Sequence, residues 1–481
     1  MYSFLISIAA LVLGYFLYGT FVEKVFAPDP KRATPAFTKA DGVDFIAMPS
    51  WKVFMIQFLN IAGTGPIFGA IMGAKFGPSA YLWIVFGCIF AGAVHDYLSG
   101  MLSIRHGGAG YPDLVGTYLG QGTKKVMLVF SILLLVMVGA VFVYSPSIIL
   151  SGMTGWSMMI WIGVIFVYYI IATLLPIDKI IGRIYPFFAA ALLFMAVALL
   201  VCLIVKWPSI PEFWEGLANK GLAKYHDGQV QPIFPCLFIT IACGAVSGFH
   251  ATQSPLMARC LKNEKLGRPI FYGSMITEGL VALVWAAVAS YFFFDGGADA
   301  VGSELKANAP EVVTKVSQSW LGLLGGILAV LGVVAAPITS GDTAFRSARL
   351  IIADFLHLDQ KPMRKRLYIA VPLFALSALL LWYNIADENG FNNIWRYFGW
   401  ANQTLSVFMF WTATVYLVRH KGGLYYLITL LPALFMTSVC FTFILVDEIG
   451  LYLHSFIPWI ALGTFAISTI LFYLWKSRKN K

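Results

Sequence analysis

Residues 54–75 read FMIQFLNIAGTGPIFGAIMGAK. The stretch is apolar over the length that crosses a bilayer, about 20 residues, yet Ala62-Gly63-Thr64-Gly65-Pro66 stands at its centre. Two glycines weaken a helix there, and the proline cannot donate to the previous turn. The helix is expected to unwind at this point, with Pro66 at the first position of a new half-helix and Thr64 or Gly65 at its cap. Unpaired backbone N–H groups and the positive end of the half-helix dipole would then lie near the bilayer midplane, a receptor for an anion such as a carboxylate.

Residues 234–255, FPCLFITIACGAVSGFHATQSP, are interrupted in the same manner around Cys243-Gly244-Ala245-Val246-Ser247-Gly248. About five spans separate the two breaks, an odd number, so the second copy crosses the membrane in the opposite sense. That is the pattern of an inverted five-plus-five repeat whose interface holds a substrate. The competing reading is that these glycines serve close helix packing or simple kinks. Two matching interruptions at this separation favour a site.

The rest of the chain reads as membrane throughout. It is 59% hydrophobic and 12% charged, where a globular chain carries roughly 25% charged residues. Hydrocarbon offers no partner to a bare peptide group, and the long unbroken apolar runs choose helices over alternating strands, so the fold class is an all-α polytopic membrane protein. Hydropathy suggests about thirteen transmembrane helices, near 3–22, 53–74, 79–103, 126–150, 156–175, 184–205, 233–254, 270–294, 316–343, 367–386, 394–418, 423–446 and 452–475. The first lacks a basic leading region and a small-residue cleavage site, and reads as a retained helix. The organisation expected is a peripheral helix and cytoplasmic loop over 1–52, a first repeat over 53–206, a second over 207–419, and two peripheral helices with a basic tail over 420–481.

Of the 33 lysines and arginines, 26 fall on one side of such a topology. That side is cytoplasmic by the positive-inside rule, which puts the N-terminus outside and the C-terminus inside. The same scatter through short loops explains the net charge of +10 without a nucleic-acid partner; the partners expected are the lipid bilayer and a small-molecule substrate. Six cysteines without a CxxC pair indicate neither a disulfide framework nor a zinc site.

Ionisable groups inside spans need a reason, since each costs about 2.5–3.5 kcal/mol near a helix centre. His95 and Asp96 lie in GAVHDYLSG, where one of them could carry a transported proton. Adjacent helical residues do not face each other, so both are expected to find partners elsewhere; a buried structural hydrogen bond is the alternative. His250, beyond the second break, is a substrate-site candidate, as are Asn60 and Gln57 before the first. In APITSGDTAFRSARL, Thr339 and Ser340 could join carbonyls near Gly63 in an oxygen cage for sodium. Asp342 is either part of that ion path or the partner of Arg346 four residues on. Glu278, Asn402 and Gln403 read more simply as polar contacts between helices. No nucleophile motif, HExxH helix or nucleotide loop accompanies these residues, so an enzyme is not expected.

The blocks TPAFTKADGVDFIAMPSWK, NIAGTGPIFGA, FGCIFAGAVHDYLSGMLSIRHGG, FPCLFITIACGAVSGFHATQSP and ITSGDTAFRSARL together resemble the carbon starvation protein A family, over most of the chain. The resemblance implies an inner-membrane carrier of bacteria or archaea in the amino acid, polyamine and organocation superfamily, with a leucine-transporter-like fold. It implies uptake of peptides under nutrient limitation, or proton-driven uptake of pyruvate, and no cofactor beyond a coupling sodium ion or proton. Transferred by position, Gly63, Thr64, Gly65, Gly244, Ser247 and His250 would form the substrate site, with Thr339 and Ser340 at a sodium site. The chain departs from the family pattern before the first break, where Ile56 and Gln57 stand in place of a His-His pair. Rivals to a coupled carrier are a channel and a membrane receptor that binds nutrient without moving it.

Overall fold

The computed structural model of the chain describes residues 1–174, 181–294, 309–360, 362–386 and 390–479. Ordered structure there is helical, apart from an isolated bridge between Lys224 and Val230. In chain order the principal helices are α1 (Tyr2–Phe26), the pair α2 (Ser50–Ile61) and α3 (Gly65–Ala74), α4 (Ser79–Arg105) and α5 (Gln121–Thr154). There follow α6 (Met158–Leu174), α7 (Ile181–Lys206), α8 (Phe249–Ala258), α9 (Glu264–Phe294) and α10 (Ala309–Phe355). The chain ends with α11 (Met363–Ala386), α12 (Gly390–His420), α13 (Leu427–Val446) and α14 (His454–Arg478).

Among the described residues, eight helices are each long and apolar enough to cross a membrane, and α2 with α3 makes a ninth span bent by 53°. The sequence-based count of about thirteen also takes in α6, of 17 residues, the interrupted segment that ends in α8, and the helices α10 and α12, which stand outside that set. The connections expected near 176–183 and 295–315 lie largely outside the described residues.

Burial separates a core from a rim. The apolar stretches of α4 and α9 are 83% and 78% buried, whereas those of α1 and α14 are 22% and 6% buried. Leucines, isoleucines and aromatics left exposed along α14, such as Trp459, Leu462 and Leu471, are at home against acyl chains, where no hydrophobic penalty applies. Inside, α10 packs along α5 and α7, and α9 lies against α3.

The interruption between α2 and α3 covers residues 62–64. Pro66 cannot donate a backbone bond, and Ala62 leaves the helical region at φ −81°, ψ 57°. The second half-helix starts at Gly65, with Thr64 at the cap and Pro66 second in the helix, one position later than expected. The segment before α8 is non-helical over 241–248, where Gly244 takes φ +91°, a conformation only glycine adopts at little cost.

Glycines surround this second non-helical strip. A β-carbon on Gly65 would stand 2.2 Å from that of Cys243, one on Gly92 would stand 2.1 Å from the Ala245 carbonyl oxygen, and one on Gly248 would meet the Asn402 carbonyl at 2.2 Å. Strip 241–248 therefore packs tightly against its neighbours, with Cys243 and Ile241 seated against Gly65 and Gly73 and its backbone close to Gly92.

Two polar clusters lie outside the spans. Asp44, on the connection between α1 and α2, is buried and pairs with Arg346 at 3.2 Å and Arg349 at 3.7 Å on α10. Burial pushes its carboxyl pKa up, but the guanidinium groups of Arg349, Arg346 and Arg259 outweigh that and hold it below the usual carboxylate value. Nearby, Arg259 bonds Asp354 at 3.1 Å, and Arg105 reaches Glu264 at 3.3 Å. On a second group of loops, His226 meets Glu448 at 2.7 Å, Arg396 meets Asp447 at 3.6 Å, and Glu212 accepts from the Ser3 N–H at 2.7 Å.

Candidate functional site

The two interruptions touch. Gly65 lies on Cys243 as described, and Gly244 lies on Pro66, whose Cα would be 3.6 Å from a β-carbon on that glycine. Asn60, Thr64, Ser247 and His250 gather around this contact, and none of them has measurable exposure. The Thr64 hydroxyl and both polar atoms of the Asn60 side chain have no hydrogen-bond partner. Leaving such groups buried and unpaired costs about 1–3 kcal/mol each, a reason to expect a ligand there. Gln57, one turn before Asn60, reaches the Ser254 hydroxyl at 3.4 Å.

At the second break Asn402 of α12 plays a part that its own neighbourhood in the sequence does not announce. Its Oδ1 accepts from the Phe249 N–H at 2.6 Å and from the Ser247 hydroxyl at 3.1 Å. It thus caps α8 from another helix, satisfying one of the N–H groups that a helix start leaves open. Gln403 reaches the Phe238 carbonyl at 3.0 Å, holding the same segment further back.

His95, Asp96 and His250 come together, and the structure corrects one expectation about them. His95 and Asp96 do face each other: His95 Nδ1 lies 2.8 Å from Asp96 Oδ1. Both side chains emerge from the first turn after the π-helical segment Cys88–Gly92, and an imidazole nitrogen held close to its backbone can turn onto the next residue's carboxylate. The other oxygen of Asp96 meets His250 Nδ1, also at 2.8 Å, so α4 is joined to α8. Beyond His250, its Nε2 stands 3.5 Å from Glu278 Oε2 on α9. Glu278 therefore belongs to this cluster as a polar contact between α9 and α8. The Cys243 thiol, a ring nitrogen of His250 and a carboxylate oxygen of Glu278 all lie within 4.8 Å of one another.

Thr339 and Ser340 divide. The Ser340 hydroxyl donates to the Leu59 carbonyl at 3.0 Å and stands 3.1 Å from where a β-carbon on Gly63 would sit, so it lies against the first break. The Thr339 hydroxyl bonds its own helix, at the Ala335 and Ala336 carbonyls, both at 2.9 Å. Asp342 lies a turn further on and accepts from the Tyr168 hydroxyl at 2.8 Å; Arg346, four residues on, is attracted to it and also extends to Asp44 at 3.2 Å.

The family model for carbon starvation protein CstA matches residues 1–152, 145–323 and 316–443. The chain belongs to the CstA family. A membrane protein of Haemophilus influenzae is 49% identical over 61% of this chain and 91% of its own length. The peptide transporter CstA of Campylobacter jejuni is 27% identical over 91% of this chain and 78% of its own length. The pyruvate/proton symporter BtsT of Escherichia coli is 25% identical over 94% and 81%. Among solved structures, the manganese transporter of Eremococcus coleocola superposes with a TM-score of 0.58 at 12% identity, over 92% of this chain and 99% of that one. A Na+-coupled sialic acid symporter does so with a TM-score of 0.53 at 10% identity, over 96% of both chains. The CstA-family chain is thus a multi-pass helical transporter whose fold resembles the leucine-transporter-like carriers, and no enzyme stands among these relatives.

Proposed function

We propose that this CstA-family chain is a secondary active transporter that imports a small carboxylated nutrient, a peptide or pyruvate, by cation-coupled alternating access across the bacterial cytoplasmic membrane. The observation that carries the reading is the direct contact of the two interruptions at Gly65–Cys243 and Gly244–Pro66, with unpartnered Asn60 and Thr64 beside it. Interrupted helices that meet near the bilayer centre present half-helix ends to anions, and they form the interface of two repeats that rock. The substrate carboxylate binds at Thr64, Gly65 and Ser247. The relatives named for peptide transport and for pyruvate/proton symport support this substrate class.

We read the chain as about thirteen crossings, with two broken helices in an inverted five-plus-five repeat over 53–206 and 207–419, the outer helices being peripheral. Contacts between loops support the alternation. Asp44, Arg105, Arg259 and Glu264 meet α10 or one another in one group, while His226 and Arg396 meet at Glu448 in another and Glu212 holds the start of α1. The first group holds the greater positive charge and faces the cytoplasm, with the N-terminus outside and the C-terminus inside.

Proteoliposomes loaded with unlabelled solute, and given labelled pyruvate or a labelled dipeptide outside, test the reading. A carrier exchanges label by counterflow and accumulates it under an imposed sodium or proton gradient. Binding without exchange in correctly inserted protein would leave a receptor, and flux that never accumulates would leave a channel.

A further inference from the structure

Glu278 is a carboxylate that the fold isolates. It has no measurable exposure, the Gly244 backbone N–H lies beside it as a donor, and no lysine or arginine among the described residues forms an ion pair with it. The group that faces it is His250, whose Nε2 is 3.5 Å away. His250 is itself clamped at Nδ1 by Asp96, which also holds His95. From α4, Asp96 and the Cys88 thiol add to its surroundings, and Cys243 comes from the strip before α8.

We propose that Glu278 is the proton-binding site of the transport cycle, that His250 passes the proton to it, and that its protonation admits the substrate carboxylate. This rests on the transport reading above, and names its coupling ion and the residue that carries it. Two features of placement argue for it. Ala282, one turn after Glu278 on the same face of α9, is the residue against which Gly244 packs, so Glu278 looks onto the second interruption. A carboxylate ionised there repels an incoming substrate carboxylate across a medium of low dielectric, and a neutral carboxyl does not. Second, the Asp96–His250 pair fixes the ring so that Nε2 is aimed at Glu278, with the Cys243 thiol beside it. Such a nitrogen can accept a proton from water when the site opens and hand it on.

The balance is one proton for one carboxylate. From outside, a proton adds to the Glu278 carboxylate through His250, and the substrate anion binds beside the neutral carboxyl. On the inner side the anion leaves, and the Glu278 O–H returns its proton to water through His250. For a monocarboxylate the loaded and empty sites carry the same net charge, so uptake follows the pH gradient and not the membrane potential.

Glu278→Gln keeps the size of the side chain and removes the proton. In proteoliposomes the variant is expected to keep counterflow of labelled pyruvate within about threefold of wild type while gradient-driven accumulation falls at least about tenfold. Infrared difference spectra of the purified protein across an acid-to-alkaline step provide a readout that needs no transport: a protonated-carboxyl band present in wild type and absent in Glu278→Gln. Wild type that shows the band but moves no solute would sink the transport reading and leave the proton site standing. A band unchanged in Glu278→Gln, or accumulation that persists in it, overturns the assignment. So does wild-type uptake that collapses on chelation and returns with zinc, since Cys243, His250 and Glu278 would then be holding a metal.

Discussion

Gly65 and Cys243 are in contact across the two interrupted segments, with no space for even a methyl group on the glycine. Gly65→Val should therefore force the segments apart and lower counterflow by at least about tenfold, with a loss of stability of about 1–3 kcal/mol from overpacking. Cys243→Gly, which removes the atoms that would collide, should restore part of the activity of Gly65→Ala. If Gly65→Ala transports like wild type without compensation, the contact does not govern the cycle.

Asn402 holds the start of α8 through the Phe249 N–H. Asn402→Ala should cost about 0.5–2 kcal/mol, as the loss of a helix cap does, and should weaken substrate binding by releasing Ser247. Asn402→Asp, which keeps the acceptor, should recover the stability and still impair binding of a carboxylate, because it places a second negative charge at the same helix start. Thermal unfolding in detergent, together with the substrate concentration for half-maximal counterflow, separates the two effects.

Asp44 ties the connection before α2 to α10 through Arg346 and Arg349. Breaking a buried pair typically costs about 3–5 kcal/mol, and Asp44→Asn should lower the unfolding temperature accordingly. Because the folded pKa is depressed, the stabilisation is present above the ordinary carboxylate value of about 3.9. It is lost as pH falls through the lowered one. Wild type should therefore lose more stability than Asp44→Asn on acidification below about pH 4, and parallel curves would show that the pair contributes nothing.

The Ser340 hydroxyl is spent on the Leu59 carbonyl, and that of Thr339 on its own helix. Replacing external sodium by choline should leave uptake within about twofold, and Ser340→Ala should cost only about 1 kcal/mol, the worth of one hydrogen bond. Sodium-dependent accumulation that Ser340→Ala abolishes would reinstate an oxygen cage at this position.

What could be read in the sequence was whatever acts locally. Gly63, Gly65 and Pro66 disturb helix geometry by their own chemistry, so an unwound stretch at 62–64 was legible within a residue or two, as was the non-helical run around Gly244. The bilayer itself was legible from composition. Partnerships over long distances in the chain were not: Asn402 caps a helix 153 positions away, and Glu278 meets His250 only because α9 and α8 pack together. Nor does any local pattern bring Asp44 to Arg346. The His95–Asp96 contact failed for a different reason, since the rule that neighbours diverge describes Cβ directions and not the reach of an imidazole.

The strip 241–248, which ends at Gly248 and is bordered by Gly65 and Gly92, has a bearing on how the molecule would wear its mutations. Where a glycine faces the strip only a small side chain or bare backbone lies opposite, so a shear of the strip past α3 and α4 has few bulky groups to lift before it begins. Such a bearing tolerates motion better than it tolerates change. Each of these three glycines gates the same short strip, and a substitution at any of them should jam it while leaving the surrounding helices folded.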